Sequence, residues 1–135
     1  MRKRTKARQL ALKLLYKLDL LNEDATPENL EFLQEEADDP EVQEFSKDLV
    51  LGTVKHRQDL DRRISQVTRN WDIQRMAVID RNIIRMGAYE LAYRSDIPPK
   101  VALNEAIELA KKFSTADSGA FVNGILDKVK EQIYG

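Results

Sequence analysis

Apolar residues recur every three or four positions along almost the whole chain, which is the period of a helix that buries one face. Ala7, Leu10, Ala11, Leu14, Leu15 and Leu18 set the first such stripe. Thr5 stands where an N-cap would. Thr26-Pro27-Glu28 combines a capping hydroxyl, a proline at the first helical position and an acid in the first turn. It predicts a short second helix from Pro27 to about Glu36. Asp38-Asp39-Pro40 stops and restarts the chain, and Val42, Phe45 and Leu49 mark a third helix running toward His56. Leu60, Ile64 and Val67 mark a fourth, which Asn70-Trp71-Asp72 interrupts. Met76, Ile79, Ile83, Met86 and Leu91 carry a long fifth helix to about Arg94. Ser95-Asp96-Ile97-Pro98-Pro99 breaks it. Ala102, Ala106, Leu109, Ala110 and Phe113 carry a sixth. After Ser114-Thr115, the residues Val122, Ile125, Leu126, Val129 and Ile133 carry a seventh. No run alternates with the period of a strand. The pattern predicts a compact all-α domain of about seven helices with short connections.

Composition adds exclusions. A length of 135 residues suits one domain. There is no cysteine, so disulfides, thiolate metal sites and cysteine nucleophiles are excluded. His56 is the one histidine, which excludes histidine-rich metal centres. No phosphate-cradling glycine loop, paired-histidine metal motif or nucleophile elbow occurs. Asp38-Asp39 and Asp59/Asp61 read as helix-terminal and surface acids. The expectation is a protein without catalysis. No segment is apolar enough to span a membrane, and Lys13 and Lys17 break the apolar run that a signal peptide would need. A cytoplasmic protein is expected.

Charge changes the picture more. Lys plus Arg number 22 and Asp plus Glu 23, for a net charge of -1. The two signs are sorted along the chain. Residues 1–17 hold seven basic side chains and no acid, while residues 19–48 hold twelve acids and one base, Lys47. Adjacent blocks of opposite sign mark surfaces that face different things. On a wheel of about 100° per residue, Lys6, Lys13 and Lys17 share one flank of the first helix. Tyr16 falls nearly opposite the apolar centre. An exposed aromatic ring beside ammonium groups suits single-stranded RNA, whose bases stack on rings while cations hold phosphates. Cations at a helix start also oppose its macrodipole, and local rule-breaking of that kind tends to mark function. The plainer alternative is a solubilising basic tail with a tyrosine packed on a neighbouring helix. That would make the chain a helical protein–protein interaction module without RNA binding.

Other residues have plain readings. The acids of residues 19–48 read as a solvated helix face. Trp71 reads as core, since lone tryptophans usually bury. His56 reads as a partner of a helix C-terminal dipole. Arg81 and Arg85, one turn apart, could bind an anion, but they read rather as pairing with Asp80 or Glu90.

Three stretches together resemble one family. They are the basic start leading into Ala11-Leu12-Lys13-Leu14-Leu15-Tyr16; Trp71-Asp72-Ile73 followed by Ile79-Asp80-Arg81-Asn82-Ile83-Ile84-Arg85-Met86-Gly87-Ala88-Tyr89-Glu90-Leu91; and Asn104-Glu105-Ala106-Ile107-Glu108-Leu109-Ala110-Lys111, with Asp117-Ser118 and Phe121-Val122-Asn123-Gly124-Ile125-Leu126-Asp127. In this order they are similar to the NusB family of bacterial transcription antitermination factors. The resemblance implies a single domain over residues 1–135 built of two small sub-bundles, divided near residues 69–72 into about 1–70 and 71–135. It implies pairing with NusE, a small-subunit ribosomal protein, and binding of the boxA element of nascent ribosomal RNA. It implies entry into an antitermination complex on RNA polymerase, with no cofactor. Self-association, as in some members, is a further implication. Carried over by position, the RNA-binding residues would be Arg2, Lys3, Arg4, Lys6, Arg8, Tyr16, Asp80, Asp117, Ser118 and Phe121. Of these, the wheel alone points to Lys6 and Tyr16. The NusB-like domain of certain RNA cytosine methyltransferases is set aside, because the sequence stops at Tyr134-Gly135.

Overall fold

The computed structural model describes residues 1–69 and 71–135. Asn70, within the expected interruption, lies outside them. The helices are α1 (Lys3–Leu21), α2 (Pro27–Glu36), α3 (Pro40–Lys55), α4 (Arg57–Val67), α5 (Val78–Tyr93), α6 (Pro99–Phe113) and α7 (Ser118–Tyr134), with a 3-10 turn at Ile73–Arg75. No strand occurs among the described residues. The all-α expectation therefore holds, and α2 ends where the sequence pattern placed it.

The chain forms two compact units, Met1–Lys55 and His56–Gly135. This division falls earlier than the expected 69–72, because α4 packs on α5 and α7 and so belongs to the second unit. The breaker at 71–72 separates two helices of one unit.

In the first unit α1 packs chiefly on α3, and α2 packs on both. Leu10, Leu14 and Leu18 of α1 and Val42, Phe45 and Leu49 of α3 are all buried. Thr26 caps α2 as predicted, its Oγ1 accepting from the Asn29 N–H at 3.2 Å. Thr5 does not cap α1. The helix begins at Lys3, and Arg2 supplies no side-chain cap. Burial of Ala7, Arg8, Leu10 and Ala11 carries the start of this helix instead. Asn22 ends it in the left-handed region at φ 53°, which asparagine tolerates better than most residues.

In the second unit α5 packs on α4, α6 and α7. Every residue from Asn82 to Leu91 is buried, polar ones included. Arg85 is 1% exposed. Its Nε and Nη2 donate to Asp61 Oδ1 and Oδ2 at 2.8 and 3.1 Å. This carboxylate lies on α4 and not on the helix of Arg85, and its two oxygens meet the planar guanidinium fork. Arg81 donates from Nη1 to the Gln74 carbonyl at 3.3 Å. His56 directly follows the C-terminus of α3. Its ring stacks on Tyr93 with centroids 3.8 Å apart. Tyr93 in turn donates its hydroxyl to Asp59 Oδ2 at 2.6 Å, and Arg63 Nε donates to the same oxygen at 2.9 Å. The Tyr93 hydroxyl, followed by Arg63, holds the Asp59 carboxyl below its ordinary range.

Three outcomes follow for stability. A Cβ at Gly87 would stand 2.6 Å from Cδ1 of the fully buried Leu126, whereas one at Gly124 would meet nothing within 4 Å. Gly87→Ala should lower stability by about 1 kcal/mol, since overpacking outweighs the helix-propensity gain. Gly124→Ala should raise stability by about 0.5–1 kcal/mol. Urea unfolding of the two variants checks the opposite signs. Asp61→Ala should cost about 3 kcal/mol in the same assay, because it leaves the Arg85 guanidinium buried and without its carboxylate.

Candidate nucleic-acid interface

The residues singled out above fall into two groups, one in each unit. In the first unit the outward side of α1 carries Lys6, Lys13, Tyr16 and Lys17, all exposed. Tyr16 is 37% exposed, so over a third of the residue is open to solvent, in keeping with its place on the wheel. Arg2 is exposed at the start of the helix.

The rest of the basic segment is committed elsewhere. Arg8 is 2% exposed, and its guanidinium lies over the Phe45 ring at 5.2 Å from the centroid. Arg4 lies over the same ring at 4.5 Å. Arg8 is therefore not part of the open surface, contrary to the position-by-position expectation. The wheel holds the reason: residues 4 and 8 fall across the apolar stripe from Lys6, Lys13 and Lys17. What it lacks is the ring that α3 places there. Lys3 Nζ is 3.1 Å from Asp39 Oδ2 and 3.3 Å from Glu41 Oε2. These hydrogen bonds, Asp39 first, raise the Lys3 pKa above its ordinary value. Asp39 is held below the carboxylate range, first by the Glu41 backbone N–H and then by Lys3. The acids beginning α3 thus offset a cation beginning α1, a use of the acidic block beyond a solvated face.

In the second unit Asp80, Ser118 and Phe121 come together. Asp80 sits in the first turn of α5 and Ser118 opens α7. Ser118 Oγ donates to Asp80 Oδ2 at 3.3 Å and lies 2.8 Å from Ser114 Oγ and 2.9 Å from Thr115 Oγ1. Asp80 Oδ1 is buried with no hydrogen-bond partner among the described residues, a place where a donor is wanted. Asp117 is exposed and makes no side-chain cap on α7. Phe121, one turn into α7, is half-buried and meets Trp71 edge to face, with centroids 5.2 Å apart and planes at 74°.

Trp71 corrects an expectation. It is 55% exposed and is not core. The base rate for lone tryptophans hid it. The nearby Asp72, whose Oδ1 accepts from the Gln74 N–H at 2.9 Å, marks a capped turn that holds the indole outside the packed helices. Among the described residues no group of three or more acids or histidines is placed to hold a metal ion. Among the same residues no helix is long and apolar enough to cross a membrane.

These features define an all-α protein whose first helix turns cations and an aromatic ring outward, and whose last helix opens on a hydroxyl, carboxylate and aromatic cluster. A profile described as the NusB family matches residues 5–131. The chain belongs to the NusB family. It is 48% identical to the transcription antitermination protein NusB of Geobacter sulfurreducens, over 90% of this chain and 89% of that protein. The fold is similar to that of T. maritima NusB, with a TM-score of 0.85, 32% identity and coverage of 100% of this chain and 94% of that one. It is also similar to a chain in a crystal structure of the antitermination factors NusB and NusE in complex with dsRNA, with a TM-score of 0.88, 29% identity and coverage of 98% of each chain.

The division of labour on α1 is measurable as stability. Arg8→Ala should destabilise the protein by about 1–2 kcal/mol, through lost packing and the lost cation–ring contact. Lys6→Ala and Lys17→Ala should stay within about 0.5 kcal/mol of the parent. Equal effects at all three positions in urea unfolding would contradict the assignment.

Proposed function

We propose that the protein is a transcription antitermination factor acting in the cytoplasm. Paired with NusE, it binds single-stranded boxA in nascent ribosomal RNA and joins the antitermination complex on RNA polymerase. The observation that carries this reading is the family match over residues 5–131. The similar solved complex, which holds NusE and dsRNA, supports NusE and RNA as the classes of partner.

The exposed groups divide the work by chemistry. Lys6, Lys13, Lys17 and Arg2 supply positive charge for phosphates. Tyr16 offers a ring on which a splayed base stacks. Asp80 and Asp117 accept from base amino groups, as carboxylates do in nucleic-acid recognition. Ser118 orients Asp80, and Phe121 supplies a second ring. Lys3, Arg4 and Arg8 act mainly by holding α1 on α3. With a net charge of -1, binding by the protein alone is modest and the partner tightens it.

Titration of labelled boxA RNA, a scrambled strand and a duplex, across salt and with or without NusE, tests the reading. Affinity should fall with salt by a log–log slope of roughly 0.7 for each phosphate neutralised on a single strand. NusE should tighten boxA binding more than scrambled binding. Tyr16→Ala should weaken it roughly tenfold at unchanged melting temperature. An affinity indifferent to salt and to NusE would leave the interaction-module alternative.

A further inference from the structure

Trp71 exposes more than half its surface at a junction where the rest of the chain is anchored. The neighbouring Ile73 is buried, Asp72 caps the turn, and Arg81 clasps the Gln74 carbonyl. Phe121 holds the indole from α7. An edge-to-face pair covers at most one face of the indole, so a flat surface stays open. Leaving that much aromatic area in water is unfavourable in the free protein. A fixed and open ring is also what a base needs, since little freedom is lost when the base stacks on it.

The surroundings select the occupant. Arg69 and Arg75 are exposed on the same connection, before and after the tryptophan, and supply positive charge for a backbone. Phe121, which touches the indole, lies on the first turns of α7 after Asp117, whose exposed carboxylate can accept from a base edge. An aromatic face flanked by arginines and a base-edge acceptor matches single-stranded RNA better than an apolar protein segment, which would leave those charges without partners.

We propose that Trp71 is an RNA-binding residue of this protein, stacking on one unpaired base, with Phe121 as the ring that holds it in place. The proposal rests on the RNA-binding reading and extends its site beyond the residues that family resemblance carries over.

Trp71 is the chain's only tryptophan, so its fluorescence reports on this position alone. Single-stranded boxA RNA should quench the emission of the intact protein in the presence of NusE, read against the NusE signal alone. The midpoint should match that from RNA anisotropy. Trp71→Ala should weaken RNA binding roughly tenfold. Trp71→Phe should restore most of it, and both variants should keep the parent's circular dichroism and its NusE affinity. Parent-like RNA affinity in Trp71→Ala would overturn the proposal while leaving the RNA reading intact. So would a loss confined to NusE binding, which would mark Trp71 as a protein contact. Failure of the parent to bind any single-stranded RNA would overturn both.

Discussion

The ring of Phe45 lies under two guanidinium groups, and the use of α1 depends on that contact. A helix that begins with a run of cations opposes its own dipole and repels itself. Packing on a neighbour is eased where some of the charge is neutralised or laid against a polarisable face. Arg4 and Arg8 take the second course on Phe45, and Lys3 takes the first with Asp39 and Glu41. With those three engaged, the apolar stripe of α1 stays on α3, and Lys6, Lys13, Tyr16 and Lys17 are held outward. The same basic segment is part fold and part surface, and helix geometry decides which residue is which.

The second unit solves a related problem. Its central helix buries arginine, asparagine and glutamate along with its apolar residues. Charge inside a core is tolerable only when it is met, and Asp61 meets Arg85 with two oxygens. At the start of α5 the balance is looser. Asp80 has one oxygen engaged by Ser118 and one without a partner among the described residues. The buried Arg85 is met by a carboxylate, whereas the start of the same helix keeps one buried acceptor unmet.

The helices were legible because each carries its own stripe, and the Thr26-Pro27 start because a cap is a local device. What lay across each helix was not legible. The expectation for Arg85 looks only to acids on its own helix, whereas Asp61, which meets it with two oxygens, lies 24 positions away in sequence. The grouping of α4 with α5 and α7 depends on the same kind of long-range pairing. Arg8 enters the expected RNA-binding set only by position, through the family resemblance. Its wheel position said otherwise, and only the ring on α3 makes its burial affordable. Trp71 was taken as core on residue type alone, whereas its exposure follows from a capped turn and a side contact with Phe121. Tyr16, which needed only the wheel, was read correctly as exposed.

The central claim is that RNA meets the outward side of α1 and the aromatic and carboxylate cluster at the start of α7, and not the acidic block of α2 and α3. Ultraviolet cross-linking of boxA RNA to the protein with NusE present, followed by mass-spectrometric mapping of the linked peptides, tests this most directly. Cross-links concentrated at Tyr16, Trp71 and Phe121 are the predicted result. Cross-links concentrated between Asp24 and Asp48, or spread without preference over the chain, would contradict it.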